Sequence, residues 1–217
     1  MLLHPLLTGC GVRHAFGLRS TPPPADLLRP RQVHGCEIVA AADCRAQPPP
    51  EADGVISSEP GVLVGVVTAD CVPILVANGS GRVVAAIHAG WRGLARGVVA
   101  AGMAAVRERS GAEVLTAVVG PHIGSCCYEV DDPVLAALEA RFGSALAPAL
   151  RPGRAGHAYL DLGALAIAEI EMSDLGAAEA ARIDGACTCC DVKRFHSHRR
   201  DGPRAGRLVH FIAAGQP

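Results

Sequence analysis

The chain has 217 residues, of which half are hydrophobic and only 3% are aromatic. This length suits one sizeable domain whose core is built from aliphatic side chains. Its 20 basic and 21 acidic residues nearly cancel, which argues against nucleic acid or a membrane surface as a partner. No apolar run approaches the roughly 20 residues that span a bilayer.

Nine cysteines are unusually many for a chain of this length. The first residues have no basic start and are interrupted by Pro5, which is atypical of a signal peptide. An odd number of cysteines without a secretory signal does not indicate a disulfide framework. We therefore expect a cytoplasmic protein with reduced thiols, which act as packed side chains, ligands or nucleophiles.

The chain alternates strand-like and helix-like segments after a proline-rich start. Residues 20–31 and 47–50 are proline-rich loops, and a short strand lies between them in residues 32–41, with His34 at or before its start. The segments expected to follow are strands at 61–69, 72–77, 82–90, 113–120 and 207–214 and helices at 94–111, at 133–143 and from Asp161 to about Asp174. The "NGSG" turn at 78–81 makes the strands within 61–90 resemble a hairpin. This order favours a single α+β domain, residues 1–217, with mixed sheets over a regular doubly wound fold.

Three metal-ligating side chains stand where predicted strands meet polar loops. Cys71 lies between two apolar runs, His88 closes the returning strand, and His34 has a similar setting. Two imidazoles and a thiolate suit zinc and leave a fourth position open. Each residue alone could equally be a packed cysteine or a hydrogen-bonded core histidine.

Five motifs occur in order along the chain: "RQVHG", "GVVTADCVPIL", "AAIHAGWRGL", "VGPHIGSCCYEV" and "FHSHRRDG". Together they closely resemble the bacterial laccase-domain family. The resemblance extends from about Val12 to Ile212, and it implies that His34, Cys71 and His88 bind a metal. It also implies a four-layer α/β/β/α sandwich.

The chain departs from this family between Phe16 and Gln32. Relatives usually have a Gly-Gly-x-Ser loop and a helical segment there, whereas this chain crosses almost directly in "FGLRSTPPPADLLRPRQVHG". We interpret the remaining anchor of that region as His14, Phe16 and Arg19. A shortened segment predicts a more open site or an altered specificity.

Further residues of the motifs are candidates for the substrate site. Asp70 could orient an imidazole or a water as a catalytic residue, or simply cap a strand end. Arg92, Arg199 and Arg200 could bind phosphate, although each also suits a structural or solvated role. In the family, the loop that carries His122 and Cys127 borders the site.

A second cysteine-rich segment, "CTCCDVKRFHSHRRDG", holds Cys187, Cys189 and Cys190. This segment could form a second zinc site. Relatives commonly lack the last two of these cysteines, so we interpret the three as packed thiols and expect Cys189 and Cys190 to be dispensable for metal binding.

The function that the resemblance implies is a zinc-dependent enzyme acting on purine nucleosides. The reaction would be phosphorolysis of adenosine or inosine to the base and ribose 1-phosphate, or deamination of adenosine, with Cys71 and His88 in the catalytic centre. Copper-dependent polyphenol oxidation is an alternative that the few histidines and methionines make physically weaker. A cysteine hydrolase that uses Cys71 as nucleophile and His88 as base, and a cell-wall precursor editing factor, also remain open.

Overall fold

The structure is a computed structural model, and it describes residues 1–111, 113–172 and 177–215. Its strands are β1 Arg13–Ala15, β2 Ile38–Ala40, β3 Gly54–Ser57, β4 Leu63–Thr68, β5 Val72–Asn78, β6 Val84–Ala89, β7 Leu115–Val119, β8 Glu129–Asp131, β9 Leu150–Pro152, β10 His157–Leu160, β11 Ala178–Arg182 and β12 Leu208–Ala213. Its α-helices are α1 Pro5–Gly9, α2 Trp91–Ala95, α3 Val98–Ser110, α4 Asp132–Phe142, α5 Leu162–Glu171 and α6 His198–Asp201. Among these described residues, no helix has both the length and the apolar character needed to cross a membrane.

A six-stranded mixed sheet forms the centre of the molecule. Its order is β11-β7-β5-β6-β3-β2, with β11 parallel to β7, β2 parallel to β3 and the other pairs antiparallel. Every residue of β5 and β6 is buried, because both faces of the sheet are covered. The predicted α+β class with a mixed sheet is confirmed.

The two faces of this sheet pack against different layers. Ile74 packs in a cluster with Met103 of α3 and Leu165 of α5. Its neighbour Leu75 points to the other side and packs with residues of the three-stranded sheet β1-β12-β4. Alternate residues of β5 point to opposite faces of the sheet. One core therefore lies between the helices and this sheet, and a second core lies between the two sheets.

The outer face of the three-stranded sheet is covered by the shortened segment. Leu63 and Phe211 are buried on this face and pack with Leu27, which belongs to the proline-rich loop. Residues 20–31 contain no helix. An extended segment therefore takes the outer position where the resemblance implies a helical layer.

Two predictions about local structure need correction. The hairpin is confirmed for β5 and β6, but β4 pairs with β12 in the other sheet because the chain turns sharply at Asp70, whose φ is 92°. The helix predicted at 94–111 is broken at Gly97, whose φ of 80° lies in the left-handed region that glycine adopts without strain. The predicted helix end at Asp174 lies outside the described residues, and α5 ends at Glu171.

The start of α5 provides a test of the fold. The Asp161 side chain accepts a hydrogen bond from the Ala164 N–H at 2.9 Å, whereas Asp131 precedes α4 without such a bond. We expect Asp161→Ala to lower the free energy of unfolding by about 1 kcal/mol or more, a shift of about 2–4 °C in melting temperature. Asp131→Ala is the matched control and should change it far less. Equal melting temperatures for the two variants would contradict this assignment.

The contribution of Asp161 to the free energy of unfolding should also depend on pH. The hydrogen bond with His122 lowers the pKa of this carboxyl, burial raises it, and the bonds with Ala164 and Arg182 lower it further, so that the net shift is downward. A carboxyl whose folded pKa is depressed stabilises the protein above its unfolded pKa and loses this effect as pH falls through the folded value. The stability difference between wild type and Asp161→Ala should therefore persist at neutral pH and shrink in strong acid.

Candidate metal centre

Cys71 and His88 are brought together by the pairing of β5 with β6. Cys71 lies in the turn between β4 and β5, one residue before Val72. His88 lies near the end of β6, where it pairs with Pro73. Antiparallel pairing thus places the start of one strand beside the end of the next. Cys71 and His88 are therefore neighbours although they are 17 residues apart in sequence.

His34 reaches the same place from the loop before β2. The Gln32 side chain donates to the Val67 carbonyl and accepts from the Val67 N–H, both at 2.8 Å, which ties the loop to β4. His34 itself has a φ of 60°, an uncommon conformation for a residue other than glycine. Such a backbone, held by surrounding bonds, is typical of functional sites.

The three predicted ligands form one group, which we name the His–Cys–His trio. A ring nitrogen of His34, a ring nitrogen of His88 and the Cys71 Sγ all lie within 4.8 Å of one another. The two imidazole rings meet edge to face with centroids 4.9 Å apart. Ligands at about 2.0–2.3 Å from one ion lie roughly 3.5 Å apart, so small side-chain movements let all three bind one ion.

Asp53 holds the trio in place, and the sequence did not single it out. This fully buried carboxylate accepts a hydrogen bond from His88 Nδ1 at 2.8 Å and another from the His34 backbone N–H at 2.9 Å. It also accepts from the N–H groups of Val33 and Gly35. The bond to Nδ1 leaves His88 Nε2 free to bind an ion, which is the usual arrangement behind a metal-binding histidine.

The charges in the trio favour a thiolate. Burial raises the pKa of Cys71, but hydrogen bonds from His34 and His88 outweigh it and lower the value to about 6. Burial lowers the pKa of His88, and the bonds with Asp53 and Cys71 raise it to about 9. The thiolate is the form of cysteine that binds metals and acts as a nucleophile, so the donor set fits zinc.

Gly90 leaves the space that the trio needs, and this predicts a substitution effect. A Cβ at this position would lie 3.1 Å from Cys71 Sγ and 3.1 Å from His34 Cδ2. We expect Gly90→Ala to remain folded but to bind zinc about 10-fold more weakly or worse, because displaced ligands no longer meet one ion. Competition with a chromogenic chelator measures the affinity. Gly9→Ala, where a Cβ meets nothing within 4 Å, is the control, and equal affinities would contradict the packing argument.

A cleft of about 560 Å³ opens above the trio. The cleft contains one predicted anion-binding residue, Arg199, and three arginines that sequence reasoning missed: Arg29, Arg31 and Arg207. Arg31 is paired with Glu51, whereas Arg199 donates to the Glu129 carbonyl and lies over the Tyr128 ring. The cleft therefore combines the His–Cys–His trio with a basic wall.

Asp70 borders the cleft and binds a neighbouring loop, and its catalytic role stays a prediction. Its carboxylate accepts hydrogen bonds from the Thr188 hydroxyl at 2.6 Å, from the Ser197 hydroxyl at 3.0 Å and from the Arg199 N–H at 2.6 Å. The carboxylate that orients an imidazole is that of Asp53 instead. Asp70 thus anchors the loop of residues 187–200 beside Cys71.

Arg92 and Arg200, two of the predicted anion-binding residues, do not line the cleft. Arg92 stacks on the Trp91 ring at 4.3 Å. Arg200 donates to the carbonyls of Thr188, Cys189 and Phe195 and to Asp201. Both guanidinium groups are therefore engaged in local structure, and their binding of phosphate stays a prediction.

His122 and Cys127 also lie outside this cleft. The Nδ1–H of His122 donates to the Gly120 carbonyl at 2.8 Å, and His122 lines a separate cleft of about 320 Å³. Cys127 lies in a group of thiols with Cys126, Cys187 and Cys190. All nine cysteines are free thiols in this structure.

Comparisons with known proteins show which family the chain is similar to. Residues 13–215 match the family model described as multi-copper polyphenol oxidoreductase laccase. A purine nucleoside phosphorylase of Xylella fastidiosa (strain 9a5c) is 40% identical over 190 residues, covering 85% of this chain and 71% of that protein. Adenosine deaminase RL5, from an unknown prokaryotic organism, is 33% identical over 200 residues, covering 86% of this chain and 74% of that protein.

A solved structure with a similar fold is that of YlmD from Geobacillus stearothermophilus. It has a TM-score of 0.77 and 29% sequence identity, and the match covers 88% of this chain and 74% of that one. The match to the family model over nearly the whole chain and the identity to purine nucleoside enzymes point to the same group of proteins. The chain belongs to the multi-copper polyphenol oxidoreductase laccase family.

Proposed function

We propose that this protein is a zinc-dependent enzyme that cleaves purine nucleosides with phosphate. The observation that carries the proposal is the single cleft that joins the His–Cys–His trio to a basic wall containing Arg29, Arg199 and Arg207. A cleft of about 560 Å³ lies within the range of small-molecule sites. The relatives named purine nucleoside phosphorylase support the choice of substrate.

The donor set favours zinc over copper. Two imidazoles and one thiolate leave an open coordination position, at which a bound zinc ion would supply Lewis-acid chemistry. A blue-copper site would add a weak axial ligand, usually Met, and the residues that line this cleft in the described structure include no methionine. Asp53 fixes the His88 ring, so this ligand is oriented before an ion binds.

The reaction needs an anion placed beside the sugar. The guanidinium of Arg199, already fixed by the Glu129 carbonyl and the Tyr128 ring, would bind phosphate together with Arg29 and Arg207. A phosphate oxygen then forms a bond to C1′ while the C1′–N9 bond breaks. The departing purine takes up the proton that the attacking hydrogen phosphate releases, which gives free base and ribose 1-phosphate.

Deamination of adenosine is a second candidate at the same site. The relative named adenosine deaminase supports it. In this reaction water replaces the amino group at C6, which yields inosine and ammonia. The two reactions differ in their need for phosphate, so one assay separates them.

The experiment is chromatography of adenosine and inosine after incubation with the protein, with and without phosphate. We expect adenine or hypoxanthine together with ribose 1-phosphate only when phosphate is present. Inosine formed from adenosine without phosphate would favour the deaminase instead. Turnover that survives complete removal of zinc would support a cysteine hydrolase. A zinc-loaded protein that consumes neither nucleoside but oxidises phenols after copper loading would overturn the proposal.

A further inference from the structure

Four thiols from two loops form a group separate from the trio. Cys126 and Cys127 lie in a turn in which the N–H of Cys127 donates to the Gly124 carbonyl at 2.9 Å. Cys187 and Cys190 lie in a second turn, where the Asp191 N–H donates to the Cys187 carbonyl at 3.1 Å. We call this group the thiol cluster.

The spacing of the four sulfurs suits one ion. The four Sγ atoms lie within 4.8 Å of one another, and Cys190 Sγ is 3.3 Å from that of Cys127 and 3.5 Å from that of Cys126. Zinc–sulfur bonds of about 2.3 Å in a tetrahedron place sulfurs roughly 3.8 Å apart. A disulfide would need about 2.05 Å, and it would join only two of the four.

The surrounding backbone suits thiolate ligands. The Gly124 N–H donates to Cys187 Sγ at 3.2 Å, and a donor of this kind stabilises a negatively charged sulfur. Cys187 and Cys190 also have the Cys-x-x-Cys spacing that is common in structural zinc sites. Cys126 and Cys190 are exposed, so an ion can reach the cluster from solvent.

The thiol cluster is connected to the metal centre through Asp70. Thr188, which follows Cys187, donates its hydroxyl to the Asp70 carboxylate at 2.6 Å and its N–H to the His122 carbonyl at 3.0 Å. The loop that carries Cys126 approaches from the other side, where the Ile123 N–H donates to the Asp70 carbonyl at 3.0 Å. Both cysteine-bearing loops therefore touch the residue that precedes Cys71.

We propose that Cys126, Cys127, Cys187 and Cys190 bind a second zinc ion through four thiolates. Four thiols release their protons as four zinc–sulfur bonds form, and no coordination position remains open, so this site is structural rather than catalytic. It joins the two loops and holds Asp70 in position. This proposal reverses the expectation that Cys190 is dispensable for metal binding, whereas Cys189, which lies outside the cluster, is still expected to be dispensable.

The test is the zinc content of variants purified under reducing conditions, measured by elemental analysis. We expect about two zinc ions per wild-type chain and about one in Cys190→Ser and in Cys127→Ser. Cys189→Ser is the matched control, because it removes the neighbouring thiol, and it should retain both ions. Cys71→Ala should keep the ion of the thiol cluster, so failure of the proposed function at the trio is distinguishable from failure here.

A second measurement applies even where a serine variant fails to fold. Cobalt-loaded wild type and cobalt-loaded Cys71→Ala should both show the intense sulfur-to-cobalt absorption of a tetrahedral site with four thiolates. Zinc contents of Cys190→Ser and Cys127→Ser equal to that of Cys189→Ser would overturn the proposal. So would the absence of this absorption in the cobalt-loaded protein, or a Cys127–Cys190 disulfide in reduced preparations.

Discussion

Cys71→Ala is expected to reduce nucleoside turnover more than 100-fold and to remove the zinc ion held by the trio, since loss of a single supporting residue already costs about 10–100-fold in metal affinity. Cys71 is the only anionic ligand of the His–Cys–His trio among the residues that the structure describes. Its removal leaves His34 and His88, which offer two neutral imidazoles. Chromatographic assay of turnover and elemental analysis of the same preparation measure both effects.

The control for this prediction is Cys10→Ala. Cys10 is a free thiol whose Sγ contacts the Thr116 hydroxyl at 3.5 Å, and it is not a member of either thiol-containing ligand group. The control should retain wild-type turnover and zinc. If Cys71→Ala instead keeps its activity while folded, the reaction does not take place at the trio.

Asp53→Ala is expected to weaken zinc binding about 10–100-fold and to destabilise the fold, because outer carboxylates fix the orientation and raise the basicity of ligating histidines. The substitution removes the acceptor for His88 Nδ1 and for three backbone N–H groups. Each buried donor left without a partner costs about 1–3 kcal/mol. The free energy of unfolding of Asp53→Ala should therefore fall by several times the amount that an ordinary surface substitution costs.

Two further variants sharpen this prediction. Asp53→Asn keeps one carbonyl acceptor but loses the charge, so its zinc affinity should lie between those of wild type and Asp53→Ala. Asp43→Asn is the surface control, because the Asp43 carboxylate accepts an exposed bond from the Ala40 N–H at 3.1 Å. Chelator competition and denaturant titration provide the two readouts. Wild-type affinity in a folded Asp53→Ala protein would refute the positioning role.

The sequence pattern was most informative where local chemistry decides the structure. Apolar runs predicted β5 and β6 because both strands are buried on two faces, and the strand-end positions of Cys71 and His88 placed them in one site. The strand Ala178–Arg182 was missed, since its small and charged residues have no strand pattern and form a strand only by pairing with β7. The helix at 94–111 was predicted as continuous because the left-handed conformation of Gly97 is invisible in the apolar spacing.

The site residues that sequence reasoning missed depend on long-range contacts. Asp53 follows a proline-rich loop and lies 35 residues before His88, so neither periodicity nor spacing connects them. Arg199 and Arg200 are adjacent on α6, yet one faces the cleft and the other binds loop carbonyls. The rotation of about 100° between neighbouring helical residues decides which guanidinium faces the cleft.

The shortened segment has a consequence for the substrate cleft. Its end supplies Arg29, which lines the cleft, while Leu27 packs on the outer face of the three-stranded sheet. The segment therefore contributes to both the fold and the basic wall. The expected change in specificity remains a prediction, which the nucleoside assay tests directly.

Anomalous diffraction at the zinc edge, from crystals of the zinc-loaded protein, tests the metal centre most directly. The account predicts a peak between His34, Cys71 and His88, with the His88 Nε2 and the Cys71 Sγ at about 2.0–2.1 Å and about 2.3 Å from the ion. A second peak is expected within the thiol cluster. A map with no peak at the trio, from protein that holds zinc elsewhere, would contradict the central claim that these three residues form the metal centre of the enzyme.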